Sequence, residues 1–265
     1  MTQYTHGHHE SVLRSHLTRT VENSAAYLVD RLRPGIAVLD VGCGPGTITA
    51  GIAERVAPGA VVGIDNAPEI LDTARATARD RGVDNVRFEV GDVYAIDAEP
   101  DTFDVVHAHQ VLQHLVDPIA ALAEMRRVCR PDGIVAARDS DYAAMTWYPL
   151  VPGLARWLAL YHDVTRSNDA EADAGRRLNS WARAAGFSDV QCSASAWCFA
   201  TPEEREWWGG TWAERVVSSR IAEQAVERNL ATKAELHEIA SAFREWAAAD
   251  DGWFAILHGE ILCTP

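Results

Sequence analysis

This sequence predicts an α/β fold of the doubly wound kind. Three observations carry that expectation. Along residues 34–141 short apolar runs alternate with segments of helical spacing, the pattern of parallel crossover units. The first apolar run opens into a glycine-rich turn ahead of a helix, where an open α/β sheet holds its ligand. The chain has 265 residues and is 48% apolar, enough to bury a core without disulfides or a structural metal.

The elements follow in order. Residues 11–33 have helical spacing and end at the Pro34-Gly35 breaker. GIAVLDVG holds Val38, Leu39 and Val41 in a short apolar run, a buried strand. After the CGPG loop, TITAGIAERV (47–56) is helical and stops at Pro58-Gly59. VVGID (61–65) is the second strand. Asn66, Pro68 and Glu69 then form a capping-box pattern, with Asn66 as the cap. That helix runs to about Arg81 and closes at Gly82. VRFEV (86–90) and FDVVHAH (103–109) are strands three and four. Asp117-Pro118 opens a helix that ends near the Pro131-Asp132-Gly133 turn, and IVAARD (134–139) is strand five.

Aromatics and prolines interrupt this rhythm at 142–173. A helix at 174–185 ends at Gly186, and DVQCSASAWCF (189–199) is strand six. Residues 202–249 are helical throughout, capped by Thr201, and WFAILHGEILC (253–263) is the seventh and last strand. All nine tryptophans lie after Ser140. The chain therefore divides into an N-terminal helical lid (1–33), a plain α/β core (34–141) and a remainder (142–265). That remainder carries a helical cover at 142–174 and 202–249, inserted after strands five and six.

Composition removes several function classes. Lysine and arginine total 24 against 38 acids, a net charge of −14, so no general grip on nucleic acid is expected. No apolar run approaches the roughly 18 residues of a membrane span. The polar N-terminus, MTQYTHGHHESVLRSH, lacks the apolar region of a signal peptide. Five scattered cysteines read as reduced thiols, and a cytoplasmic protein is expected.

The sharpest signal is Asp40-Val41-Gly42-Cys43-Gly44-Pro45-Gly46-Thr47, between a strand and a helix. Its spacing is G-x-G-x-G, not the dinucleotide G-x-G-x-x-G, and it lacks the G-K-[ST] ending of a phosphate loop. An acid two residues before the first glycine suits a cationic ligand. A glycine turn in a generic α/β protein is the plainer reading.

This run resembles motif I of class I S-adenosylmethionine-dependent methyltransferases, especially those similar to the ubiquinone/menaquinone C-methyltransferases. The resemblance covers about residues 36–140. It implies a Rossmann-like, seven-stranded sheet, mostly parallel with the last strand antiparallel, and S-adenosyl-L-methionine as cofactor. By resemblance, Asp40 and the backbone of Gly42, Gly44 and Gly46 line the methionine and ribose. Asp65 accepts from both ribose hydroxyls, with Asn66 and Ala67 beside the adenine. Asp92 accepts from the adenine amino group and Val93 offers a backbone N–H. His109 and Gln110 lie nearest the methionine end, with His114 on the next turn. Asp65 reads also as a helix-capping acid, and Asp92 as a turn former after Gly91. His107 and His109 share a strand face with His114 nearby, but no metal site is assigned, since zinc needs a complete ligand set with supporting contacts.

A base is needed only if the methyl acceptor must lose a proton. The candidates are His8 and His114, then Tyr4, with Asp141 behind them; Tyr4 and His8 belong to a segment that is either a lid over the cofactor or a tail. Trp197, Trp207, Trp208 and Trp212 wall an aromatic or terpenoid-like acceptor, or serve as core or contacts in a homodimer. Arg138, Arg176 and Arg177 bind an acidic acceptor or make surface salt bridges. The leading function is a methyltransferase of small-molecule biosynthesis. The alternative is a non-methylating S-adenosylmethionine-binding protein of the same fold, such as a cyclase. A nicotinamide-dependent dehydrogenase is disfavoured by the loop spacing and by the single lysine, Lys233.

Overall fold

The computed structural model describes residues 15–265. One sheet organises them: β1 (Val38–Val41), β2 (Val61–Asp65), β3 (Val86–Val90), β4 (Phe103–His109), β5 (Cys129–Ser140), β6 (Thr146–Tyr148), β7 (Asp189–Phe199) and β8 (Trp253–Thr264). The spatial order is β3-β2-β1-β4-β5-β8-β6, with β7 also pairing β8. Strands β1 to β5 are parallel, and β8 runs antiparallel to β5, β6 and β7. The order reverses between β1 and β4, so their carboxyl ends open a crevice where such sheets bind ligands.

The helices are α1 (Val21–Ser24), α2 (Thr47–Val56), α3 (Pro68–Asp80), α4 (Pro118–Val128), α5 (Pro152–Arg166), α6 (Leu178–Ala184), α7 (Pro202–Ser218), α8 (Arg220–Glu227) and α9 (Lys233–Ala248). Alternating residues of the central strands feed two cores. Leu39, Val41, Val106 and Ala108 pack on one face with α4. Val38, Val61 and Val105 pack on the other with α2. A third core lies in the second half and is aromatic. Trp157 meets Trp212 edge-on at 4.5 Å and Phe243 at 5.1 Å, and Phe254 of β8 joins them. Each such ring pair adds about 0.5–1.5 kcal/mol beyond the area buried.

Three expectations need correction. The described part of the first helix is broken. Thr20 and Asn23 cap each other reciprocally and start α1 afresh, and a 3-10 turn over Ala26–Arg31 follows. The cap of α3 is Ala67, not Asn66, because the Asp65 carboxylate takes the Ala67 N–H at 3.0 Å. The sheet has an eighth strand, since Thr146–Tyr148 pairs with Trp253–Ala255 and extends the edge beyond β5. Among the described residues no helix is long and apolar enough to cross a membrane.

Candidate active site

A cavity of about 760 Å³ opens at the carboxyl ends of β1, β2 and β4. The glycine loop forms one end. Gly42, Gly44 and Gly46 all have left-handed backbones, at φ +67°, +52° and +77°. A Cβ on Gly42 would lie 2.5 Å from Val111 Cγ2, and one on Gly46 would lie 2.9 Å from Ala74 Cβ and 3.0 Å from the Phe88 ring. Two of the three glycines are therefore demanded by the fold itself.

The acids expected at this end are there, each with a structural duty. Asp40 is buried; Oδ2 accepts from Thr49 Oγ1 at 2.5 Å and Oδ1 meets His107 Nδ1 at 2.7 Å. It thus ties β1 to α2 and β4 beneath the loop. Asp65 accepts from Gly44 N at 2.9 Å through Oδ2 and from Ala67 N through Oδ1, so it shapes the loop and starts α3. Asp92 Oδ1 accepts from Tyr94 N at 2.9 Å, the turn geometry of the plainer reading. Asn66, Asp92 and Val93 all line the cavity.

At the end of β4 the chain turns sharply. Gln110 has φ +53°, in the left-handed region. Its side chain belongs to a relay whose polarity follows from chemistry. Arg19 has only donors, so its Nη2 at 2.5 Å identifies the Gln110 atom as Oε1. The Gln110 amide nitrogen then donates to His258 Nε2 at 2.9 Å. His258 must accept there, and its proton sits on Nδ1, 3.2 Å from Ile256 O. Burial first, then Arg138 and Arg19, hold His258 well below the ordinary histidine range. His109 is buried beside it, 6.3 Å ring to ring, and is lowered by burial, Arg19 and Arg138 in that order. Neither nitrogen of the His109 ring has a hydrogen-bond partner among the described residues.

His114 closes the 3-10 turn Leu112–His114. Ser140 Oγ donates to Gln113 Oε1 at 2.5 Å, which leaves the Gln113 amide nitrogen to donate to His114 Nε2 at 3.0 Å. Burial, then Arg19, pushes His114 down to about 3, so the ring is neutral near neutral pH. Tyr4 and His8 lie outside the described residues. Asp141, held in reserve as a base, is occupied: Arg176 clasps it with two bonds of 2.6 Å.

The other end of the cavity is aromatic. Trp197 of β7 donates through Nε1 to Asn23 O at 2.6 Å, and the Arg138 and Arg19 guanidiniums lie 5.0 and 5.8 Å from its ring. Trp208 stacks on Phe199 at 4.6 Å, and Trp207 is half-buried at the wall. Trp212 touches the cavity but is fully buried, so its main office is core packing. Arg215 lies 4.8 Å over Trp212 and donates to Ser15 Oγ at 2.9 Å. The surface salt bridge expected of Arg138 is not what forms. Arg138 is buried and bonds Ser195 and Glu260, because the last strands cover that edge of β5. Arg177 does stay outside, 3.6 Å from Glu171. Sequence reasoning passed over Arg19, Thr49, Arg215 and His258. Of these only His258 left a trace, a lone imidazole in an apolar strand.

Comparison with known proteins agrees with this geometry. The profile of a methyltransferase domain family matches residues 32–234. An uncharacterized methyltransferase of Schizosaccharomyces pombe is 32% identical over 98% of this chain and 95% of its own length. A protein of Aspergillus luteorubrus named "probable methyltransferase ltbC" is also 32% identical, over 98% of this chain and 96% of its own length. Among solved structures, the [4+2]-cyclase SpnF superposes with a TM-score of 0.53 at 22% identity, covering 89% of this chain and 80% of that one. At that identity the likeness is one of fold and carries no reaction with it. The chain belongs to the methyltransferase family and is an S-adenosylmethionine-dependent enzyme. The residues present fit that cofactor: carboxylates at the ends of β1 and β2, and left-handed glycines between them, suit a cationic ligand that also carries hydroxyls.

Proposed function

We propose that this methyltransferase acts on a small organic acceptor, an aromatic or terpenoid-like molecule of secondary metabolism. The observation that carries the reading is that one cavity joins the glycine loop to the wall made by Trp197, Trp207 and Trp208. A cofactor at one end and a flat apolar molecule at the other meet beside His109 and Gln110. S-adenosylmethionine, when bound, supplies a methyl group on a sulfonium that is its own leaving group. The protein's part is to align and to exclude water.

In this reading Asp65 receives the ribose hydroxyls, and Asp92, Asn66 and Val93 surround the adenine. Asp40, Gly42, Gly44 and Gly46 hold the methionine portion, with His109 and Gln110 next to it. His114, a neutral ring too weakly basic to draw a proton at pH 7, serves as a hydrogen-bond partner and not as the general base. The N-terminal segment, 1–33, acts as the lid, and three contacts of its described part support this. His16 O accepts from Thr47, Arg19 holds Gln110, and Asn23 O accepts from Trp197. His8 and Tyr4, on the same segment, are the residues we assign to any proton removal. We place the enzyme in the cytoplasm, independent of nucleic acid in view of its net charge of −14. The exposed Tyr148, Leu150 and Trp253 near the β6 edge favour a homodimer, which sedimentation would reveal.

The test is to incubate the enzyme with a metabolite extract and cofactor labelled in its methyl group. Mass spectrometry should show one labelled small product. Label that appears only in macromolecules, or none at all while the cofactor binds, counts against the acceptor class.

A further inference from the structure

Side chains from four places tie the described part of the N-terminal segment to the rest of the molecule. Thr47 of α2 donates to His16 O, Arg215 of α7 to Ser15 Oγ, and Trp197 of β7 to Asn23 O. The fourth tie is a chain of bonds. It runs from Arg19 through Gln110 to His258 and ends at Ile256 O. We propose that His258 is a positioning residue: acting through the Gln110 amide, it helps to hold Arg19, and with it residues 15–24, closed over the cavity. This rests on the reading of the segment as a lid.

The two ends of this chain of bonds fix its direction. A guanidinium has only donors, and a backbone carbonyl only accepts. Gln110 must therefore turn Oε1 to Arg19 and its amide nitrogen to His258, and His258 must accept at Nε2 and donate from Nδ1. No second arrangement satisfies all three bonds. A proton on Nε2 would set donor against donor at 2.9 Å. Turning the amide over to relieve that would set its nitrogen against Arg19. The hold on Arg19 thus needs a neutral His258 in the Nδ1–H tautomer, which its hydrogen-bond partners select.

His258 acts from behind the wall. It is fully buried on β8, opposite Ser140 of β5 on one side and Ser195 of β7 on the other. Burial above all keeps the ring neutral. Packed around it are Arg138 of β5, His109 of β4, Arg19 of the segment and the Trp197 ring of β7, 4.5 Å away. Glu260, two residues along β8, is engaged with Arg138, Ser193 and Ser195. Gln110 does line the cavity, and its φ of +53° is a conformation that persists where surrounding contacts over-determine it. The two amide bonds are such contacts. Arg19 has others, the Trp197 ring among them, so the relay adds to the hold on the lid and is not the whole of it.

Two variants of the full chain separate the accepting nitrogen from the bulk of the ring. His258→Gln keeps an acceptor near the Nε2 position, whereas His258→Leu fills the space without one. Amide hydrogen exchange over residues 15–24 is followed by mass spectrometry, with and without S-adenosylhomocysteine. In His258→Leu this segment should exchange about fivefold or more faster relative to β1 and β2, while His258→Gln stays within about twofold of the wild type. Dissociation of S-adenosylhomocysteine should quicken in the leucine variant by a similar factor. Nitrogen NMR of the wild type needs no variant: at pH 7 the His258 ring should be neutral, with its proton on Nδ1. A proton on Nε2 overturns the proposal, whether or not the leucine variant folds. So does a segment that exchanges at the wild-type rate in His258→Leu, or a glutamine variant as loose as the leucine one. If bound S-adenosylhomocysteine leaves the wild-type segment unprotected, the lid reading falls and this inference with it. Protection that survives His258→Leu in full overturns this inference alone.

Discussion

The two ends of the cavity are built by different means. The loop end is made of backbone: three left-handed glycines within five residues, and carboxylates at strand ends that accept from nearby backbone N–H groups. The aromatic end is made of large side chains brought from β7 and α7, with Arg19 of the N-terminal segment over Trp197 and Arg215 of α7 over Trp212. A backbone site tolerates little change, because each atom is fixed by φ, ψ and the sheet register. A side-chain site can be reshaped one residue at a time, provided the ring that is changed belongs to the wall and not to the core behind it.

That distinction predicts the largest effect. Trp212→Ala removes a fully buried ring from contact with Trp157 and Phe243 and should cost about 3–5 kcal/mol of stability, read by urea denaturation. A variant that kept wild-type stability and lost only acceptor binding would move Trp212 from the core to the wall. Next comes the loop. Gly46→Ala should cost about 2–4 kcal/mol, since a left-handed alanine is strained and its Cβ meets Ala74 and Phe88. Among the described residues, Gly44→Ala has only His16 nearby, at 4.0 Å. It should lose about 1–2 kcal/mol of stability and show its main deficit in cofactor affinity. Equal stabilities for the two variants would refute this division of labour.

Asp65→Ala sharpens the comparison from the ligand side. The variant loses the acceptor for Gly44 N and the proposed partner of the ribose. Cofactor affinity should fall by about 1.5–3 kcal/mol or more, measured by calorimetry, while the circular dichroism spectrum stays native. The junction between the two ends should respond to pH. His109, His114 and His258 are neutral in the fold and titrate near 6.5 when unfolded. Below that pH the unfolded chain gains protons that the folded chain does not, so stability is lost as pH falls. Asp139 opposes this: burial raises it to about 7, so the fold keeps its proton and gains as pH falls through that value. Three histidines outweigh one aspartate, and stability should drop by about 2 kcal/mol between pH 7.5 and 5.5. A flat profile would mean the rings are hydrated or paired. The smallest stability effect belongs to Trp207→Ala. With a half-buried ring it should shift stability by less than about 1 kcal/mol while raising the acceptor KM.

The parallel strands, the glycine loop and the acids at 40, 65 and 92 were legible in the linear sequence because their causes are local. A strand that is buried on both faces reads as an apolar run, and a turn that needs positive φ reads as glycine. Asn66 was misplaced as a cap because the competing acceptor, Asp65, differs from it only in geometry. The bend at Thr20 was hidden because capping by Asn23 leaves the helical spacing on either side intact.

The sequence by itself determined the fold class, the glycine loop and the family, since these rest on spacing over a few residues. Only the tertiary structure decided what faces that end. His258 meets Gln110 across 148 residues, Asn23 meets Trp197 across 174, and Ser15 meets Arg215 across 200. It likewise divided the tryptophans between wall and core and buried Arg138 under β7 and β8. No local pattern encodes such pairings. They arise when antiparallel β8, the α7–α9 cover and the N-terminal segment close over strand ends that the first half of the chain had already placed.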